Sequence, residues 1–443
     1  MKTSQSNSKI SDLINVKVGL EVETHRINKD GELSHNDYPH GLLDEKKHHF
    51  IKNDFLETQS ELITPPTTTT AKTLKYLGAY HQALRGSLAS NEYLWPYSMP
   101  PKLRADHSDI VIAKTNHDNY EYRKRVAQIR KIERTAETGI HINVGLTDKA
   151  LADLGIIDNQ AATDQVYLQA AVGFMRYRWL LTYLFGATPQ AFSNYFAKDT
   201  QTPNQPVRSL RNSHFGFGNG FLASYQSVGD YVDQIVKATA AGTLIAEREY
   251  YGSVRLKRST NIKDLLTQGI SYIEFRTFDL NPFEPYGISA ATVNLIRLMF
   301  AYFVAERPFD LATADDQIAT AEKMNEEVAL ESPQDRTQYH DEAWQFIDQL
   351  ERFSADILVP FSAQHLCFTL KEQIDSPTLT PSARMTNWTH SAANELFKLL
   401  VTFAKGYQDD LVHNPTIGFE NLNPAEQKAI LEKLRQGMNV EIE

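Results

Sequence analysis

The sequence predicts an α+β fold: a curved, mainly antiparallel sheet with one polar concave face, backed by helices and continued by a helical C-terminal portion. Three observations carry this reading. Short segments alternate strictly, with ionisable residues on one parity and aliphatic residues on the other. Longer segments with apolar residues three and four apart separate them. Beyond about residue 288 only the helical period remains. No linker rich in Pro, Gly or Ser divides the 443 residues, so the chain reads as one unit over 1–443, with a sheet-bearing core at about 16–290 and a helical portion at about 291–443.

The first strand is predicted over Asn15 to Asn28. Val16, Val18, Leu20 and Val22 share one face, and Lys17, Gly19, Glu21, Glu23 and His25 the other. A second strand is expected from Phe55 to Thr64, stopped by Pro65-Pro66, with Glu57, Gln59 and Glu61 on its polar parity and Asp54 at its entrance. A helix follows from about Thr70 to Leu88, striped by Leu74, Leu77, Leu84 and Leu88. After the loop Trp95-Pro96-Tyr97-Ser98-Met99-Pro100-Pro101, the charged segment Tyr120 to Ala136 is expected to be helical. Gly139 to Leu146 alternates again, with His141 and Asn143 opposite Ile140, Ile142, Val144 and Leu146. Helical periods cover about 160–186 and 228–242. Strands follow near 252–258 and 271–280, bearing Arg255 and Lys257, then Glu274 and Arg276. Helices are expected at about 288–305, 313–330, 336–354, 390–406 and 424–436, the last opened by Asn423, Pro424 and Glu426 as cap, first turn and capping-box partner.

Composition narrows the function. With 45 basic and 55 acidic side chains the net charge is −10, a poor balance for general binding of nucleic acid or an anionic membrane. The polar N-terminus has no apolar stretch of the secretory kind, and the apolar segment Ile288 to Ala305 carries Asn294 and Arg297, which marks a buried helix. One cysteine, Cys367, cannot form an internal disulfide, so a reducing cytoplasm is the expected setting. Its neighbours Leu366 and Phe368 make it a core residue. His48-His49 are adjacent, point to different sides and are read as surface residues. Gly216-Phe217-Gly218-Asn219-Gly220 lacks the spacing of a dinucleotide-binding turn and is read as a loop.

Any one half-exposed strand shows a charged face to water, which needs no functional explanation. Five such strands in one sheet are different. They would bring carboxylates, a histidine and several cations onto one wall, where unpaired like charges repel. Divalent cations relieve that repulsion, since carboxylate oxygens are the usual ligands of Mg²⁺, and Mg²⁺ in turn commonly bridges nucleotide phosphates that Arg and Lys help neutralise.

The same segments resemble the glutamate–cysteine ligase family, in the bacterial branch of the glutamine synthetase-like carboxylate–amine ligases. Gly19-Leu20-Glu21-Val22-Glu23-Thr24-His25-Arg26 looks like its opening strand. Asp54-Phe55-Leu56-Glu57 with Glu61-Leu62-Ile63-Thr64-Pro65 looks like its next acidic segment. Leu94 to Pro100, Gly139-Ile140-His141-Ile142-Asn143, and Tyr272-Ile273-Glu274-Phe275-Arg276 through Asp279-Leu280-Asn281-Pro282-Phe283 resemble later motifs in the family's order. The resemblance implies ATP-dependent joining of the γ-carboxylate of glutamate to the amine of cysteine through γ-glutamyl phosphate, the first step of glutathione biosynthesis.

By that resemblance, Glu21, Glu23, Asp54, Glu61, His141 and Glu274 would hold two or three Mg²⁺ around the phosphates of ATP, with Glu61 and Arg276 catalytic. Arg276, Arg255 and Lys257 would face phosphate. Tyr122, Arg123, Asn143, Arg211 and Phe217 would line the amino-acid pocket. The implied partners are glutamate, cysteine and ATP, with no nucleic acid and no membrane, on a monomer or small homo-oligomer. Two departures leave the acceptor amine open. Phe217 stands where many relatives have a tyrosine, and Glu137-Thr138 stand where relatives carry small or apolar residues. The chain ends at Glu443 without room for the ATP-grasp module that bifunctional relatives append, so the dipeptide is the expected product. A γ-glutamyl ligase for another small amine, and a catalytically silent binding relative, are the alternatives.

Overall fold

The central strand of the sheet is β1 (Lys17–Asn28). In the computed structural model, which describes residues 16–42, 48–115, 117–197, 200–218, 220–355, 357 and 361–442, it is flanked on both sides by antiparallel partners. Asn15, the expected start of this strand, and Asn219 of the glycine-rich run lie outside the described residues. With β2 (Ile51–Asn53), β3 (Gln59–Ile63), β4 (Glu92–Leu94), β5 (Ile140–Gly145), β6 (Val254–Lys257) and β7 (Tyr272–Phe278), the order among the described residues is β2-β3-β1-β5-β7-β6, and β4 pairs the far end of β1.

Register converts alternation into a surface. Glu21 lies opposite His141, Glu23 opposite Glu61, and Glu274 opposite both Asn143 and Arg255. Opposed residues stand about 5 Å apart on one face, so these side chains must meet. The other parity, including Val18, Leu20, Val22, Ile140, Ile142, Val144, Val254, Leu256, Ile273 and Phe275, is buried in one hydrophobic core.

Helices Thr70–Arg85, Gln160–Arg176 and Ala290–Glu306 supply the other half of that core. Each begins where a side-chain oxygen, of Thr69, Asn159 or Ser289, accepts a hydrogen bond from a first-turn N–H. Phe174 meets Phe275 of the sheet at 4.0 Å between ring centroids and Phe303 at 5.3 Å. No described helix is long and apolar enough to cross a membrane. The buried helix expected at Ile288 to Ala305 is the one at Ala290–Glu306.

Several expectations are corrected. The second strand is not continuous over Phe55 to Thr64. The chain turns between β2 and β3, because Asn53 Nδ2 donates to the carbonyls of Leu56, Glu57 and Gln59, and Gln59 Oε1 accepts from Leu56 N–H. Glu57 therefore leaves the polar face, and its carboxylate accepts from Tyr38 N–H. The helix expected to reach Ala136 stops at Ile129, and a 3-10 turn covers Ile132–Ala136. The helical period at 160–186 is two helices that break at Tyr177. His48 is buried, with Nε2 against the Arg435 carbonyl at 2.8 Å.

Cys367 packs in the core as expected, with no exposed surface. Burial, reinforced by Glu351, pushes its thiol up to about 12. The folded protein is therefore expected to resist a thiol-alkylating reagent at pH 8 that labels it fully in denaturant. Cys367→Ser is expected to cost about 1–3 kcal/mol in urea unfolding, for a hydroxyl buried among apolar groups.

Candidate active site

Glu21, Glu23, Asp54, Glu61, His141, Arg255, Lys257, Glu274 and Arg276 line one cavity of about 390 Å³ on the polar face of the sheet. Its charges are sorted. At one end Glu21, Glu61 and His141 each bring a donor atom within 4.8 Å of the other two. His141 Nδ1 lies 3.0 Å from Glu21 Oε2, and its Nε2 lies 3.5 Å from Glu23 Oε1. Asn143 Nδ2 donates to Glu21 Oε1 at 2.8 Å, and Gly139 N–H donates to Glu23 Oε2 at 3.0 Å.

The ionisation of this end shows what it lacks. Burial raises the Glu61 carboxyl well above the usual range, and Glu21, Asp54 and Glu23 push it further up, with Lys52 opposing. Burial also raises Glu23, partly offset by His141. Glu21 is pulled upward by burial but held below the ordinary value by its hydrogen bond and attraction to His141. The donor set is thus mostly carboxylate oxygen and short of positive charge. That chemistry fits a hard divalent cation such as Mg²⁺.

At the other end Glu274 is surrounded by cations: Arg276 Nη1 at 2.5 Å, Lys257 Nζ at 2.8 Å and Arg255 Nη1 at 3.8 Å. Burial opposes its ionisation, yet these three cations hold it well below the usual range. Three positive side chains around one carboxylate leave a local excess facing the cavity, and that suits phosphoryl oxygens.

A third part of the cavity is aromatic. Tyr122 and Tyr251 bring their hydroxyls within 3.5 Å, Phe217 packs edge-on to Tyr251 at 4.7 Å, and the Arg248 guanidinium lies 3.6 Å over the Tyr122 ring. Arg123 lines the same wall, and Nη1 donates to Thr115 Oγ1 and the Ala113 carbonyl. Arg211 is fixed by the strand end: Nη1 and Nη2 donate to the carbonyls of Thr277, Phe278 and Arg276, and Asp279 lies 3.6 Å away. The loop that carries Arg211 is held from behind by the helix Ala314–Leu330. Arg208 and Ser209 N–H donate to the Ala329 carbonyl, and Asn325 Nδ2 donates to that of Asn212. The helical C-terminal portion thereby builds the site as well as covering the sheet.

Of the expected site residues, Asn143 is the one that does not line the cavity. It orients Glu21 by donating from Nδ2 to that carboxylate, while its own Oδ1 is buried without a hydrogen-bond partner. His25, on the polar parity of β1, is also elsewhere. It is buried between Thr58 and the Ala136 carbonyl, and burial lowers it to about 4. Tyr251, Arg248, Asn119, Arg134, Arg178 and Glu137 line the cavity without having been singled out as site residues. They come from loops and helix ends where no period marks a face; Glu137 alone had a signal, in its departure from the family pattern.

The glutamate-cysteine ligase family matches residues 1–243 and 223–327. The chain is 34% identical over 444 residues to the glutathione biosynthesis bifunctional protein of Streptococcus agalactiae, covering 97% of this chain and 58% of that one. It is 32% identical over 447 residues to the Streptococcus mutans counterpart, covering 97% and 57%. The chain thus spans under two thirds of the length of these relatives. Among solved structures, the bifunctional glutathione synthetase of Pasteurella multocida superposes with a TM-score of 0.89 at 29% identity, over 98% of this chain and 58% of that chain. The Francisella tularensis glutamate–cysteine ligase in complex with AMP gives 0.83 at 22% identity, over 96% and 93%, which speaks to the fold. With the ordered motifs, the sorted charges and a family match across most of its length, the chain belongs to the glutamate–cysteine ligase family.

Proposed function

We propose that the chain ligates the γ-carboxylate of L-glutamate to the amine of L-cysteine at the expense of ATP, giving γ-glutamylcysteine, ADP and phosphate. The observation that carries this is the sorted cavity: a carboxylate–histidine group starved of positive charge beside a carboxylate ringed by three cations. Glu21, Glu61 and His141, joined by Glu23, Asp54 and Glu274 around them, would hold Mg²⁺. When bound, Mg²⁺ supplies charge neutralisation at the triphosphate oxygens.

The protein's own groups then do the positioning that phosphoryl transfer needs. Arg255 and Lys257 hold the phosphates, and Arg276 meets the transferring group. A glutamate γ-carboxylate oxygen attacks the γ-phosphorus, the bond to the ADP oxygen breaks, and γ-glutamyl phosphate forms. The cysteine ammonium gives one proton to water, the free amine attacks the acyl carbon, the bond to the phosphate oxygen breaks, and the departing phosphate carries off the second proton. Asn143 keeps Glu21 aimed, while Tyr122, Arg123, Arg211 and Phe217 shape the amino-acid pocket. The reading takes small molecules as partners and the cytoplasm as setting.

Phe217 supports a second reading, a different small acceptor, because its edge against Tyr251 offers a ring face and no hydroxyl. Mass spectrometry of the product formed from ATP, Mg²⁺, glutamate and all the amino acids decides. γ-Glutamylcysteine with one phosphate per dipeptide is the expected result. A dominant non-thiol product selects the second reading, and Mg-ATP binding without any γ-glutamyl product rejects both.

A further inference from the structure

We propose that Glu137 receives the α-ammonium group of the acceptor amino acid, beside Arg211, which takes that molecule's α-carboxylate. This rests on the ligase reading above and deepens it, by defining the acceptor as a zwitterionic α-amino acid with a small, uncharged side chain.

Glu137 lies on the cavity wall, in the segment between the 3-10 turn and β5. The segment is rigidly set. Gln59 Nε2 donates to the carbonyls of Thr135 and Glu137, and Thr138 N–H donates to that of Ser98. The Glu137 carboxylate accepts from the Tyr195 hydroxyl and from Phe217 N–H. A carboxylate has about four acceptor directions, so about two remain for a ligand. No described cation reaches it at ion-pair distance. Arg211 donates from Nη1 and Nη2 to strand carbonyls and lies 3.6 Å from Asp279, which leaves part of its five-donor fork facing the cavity, and Arg134 donates to the Gly216 carbonyl. Burial raises its carboxyl to about 7, although Tyr195 and Arg211 oppose the rise.

Such a group awaits a cation, and the surroundings say which. Arg211 is its close neighbour across Gly139, where a Cβ would fall 2.0 Å from Arg211 Nη2, so only a bare backbone lets the guanidinium sit there. An amino acid carries its ammonium and carboxylate on one carbon, and an adjacent Glu and Arg match that pair. The same carboxylate fixes the backbone of Phe217, whose ring faces Tyr251. The side chain of the bound amino acid therefore meets aromatic surface. Glutamate would bury a second carboxylate against that aromatic surface and is the poorer occupant.

Glu137→Gln keeps the size and one accepting oxygen while removing the charge. In steady-state assays, the KM for cysteine should rise roughly 10- to 100-fold, the value of one charge-assisted hydrogen bond. The KM for glutamate and the Tm should hold. Inhibition by 3-mercaptopropionate, which is cysteine without its ammonium, should not weaken. In the wild type the cysteine KM should climb as pH falls below about 7, and in Glu137→Gln it should stay flatter. The groups facing the carboxylate are Tyr195, Arg211 and Arg134, with Glu133 behind Tyr195. An unchanged cysteine KM, a rise confined to glutamate, or equal weakening of 3-mercaptopropionate would overturn the assignment. If the wild type made no γ-glutamyl product, the ligase reading would fail, and calorimetric titration of cysteine into both proteins would still test Glu137.

Discussion

Glu61→Gln is expected to lower kcat by about 10²- to 10³-fold, the usual cost of removing one group that stabilises charge at the reacting centre, without lowering the stability of the metal-free protein. Glu61 sits on β3 opposite Glu23 and belongs to the group whose donor atoms lie within 4.8 Å. Its carboxyl is raised by burial and by Glu21, Asp54 and Glu23. A folded-state value above the unfolded one means that the group favours folding below the ordinary carboxylate range. That advantage is lost as pH rises through the raised value. The metal-free wild type should therefore lose stability relative to Glu61→Gln on going from about pH 4 to pH 8. Mg²⁺ reverses the order, because ligand bound only by the folded state adds about 2.7 kcal/mol at a hundred times its Kd. Thermal melts with and without Mg²⁺ at pH 8 check this. Equal Mg²⁺-induced shifts in Tm for wild type and variant, with undiminished turnover, would remove Glu61 from the metal site.

The polar face was legible because a strand repeats every two residues. Glu21, Glu23, His141, Arg255, Glu274 and Arg276 could be assigned to one side before any pairing was known, and the observed register puts them in contact. What alternation cannot express is where a strand stops. Asn53 and Gln59 replace ladder bonds with side-chain amide bonds, so β3 starts four residues after Phe55, and Glu57 is lost from the face. Nor can it separate a residue that lines a cavity from one that only orients its neighbour, as Asn143 orients Glu21. The loop residues Tyr251 and Arg248 reach the site through tertiary contacts alone. The helix Pro381–Trp388 escaped because it has only eight residues and no side-chain cap; Ala363–Asp375 was missed although it has 13 residues and a cap from Ser362.

Arg276→Ala should be as damaging to turnover as Glu61→Gln, and by a separable route. Arg276, Lys257 and Arg255 all surround Glu274, but only Arg276 is on the same strand, two residues away and on the same face. Burial works against its charge, yet Glu274 and Glu23 hold it firmly protonated. A guanidinium that stays charged and rigidly aimed stabilises the oxygens of a phosphoryl group most when their charge is spreading in the transition state. Its removal should therefore lower kcat by about 10²- to 10³-fold and change the KM for ATP far less, because Lys257 and Arg255 still hold the ground-state phosphates. Stability should suffer less than the roughly 3–5 kcal/mol that stripping a buried carboxylate of its only partner costs, since Lys257 remains 2.8 Å from Glu274. Arg276→Lys keeps the charge and loses the planar fork, so it should fall between wild type and alanine. Single-turnover measurements with Mg-ATP and glutamate locate the defect in phosphoryl transfer. A variant that forms γ-glutamyl phosphate at the wild-type rate would instead make Arg276 a structural partner of Glu274 and nothing more.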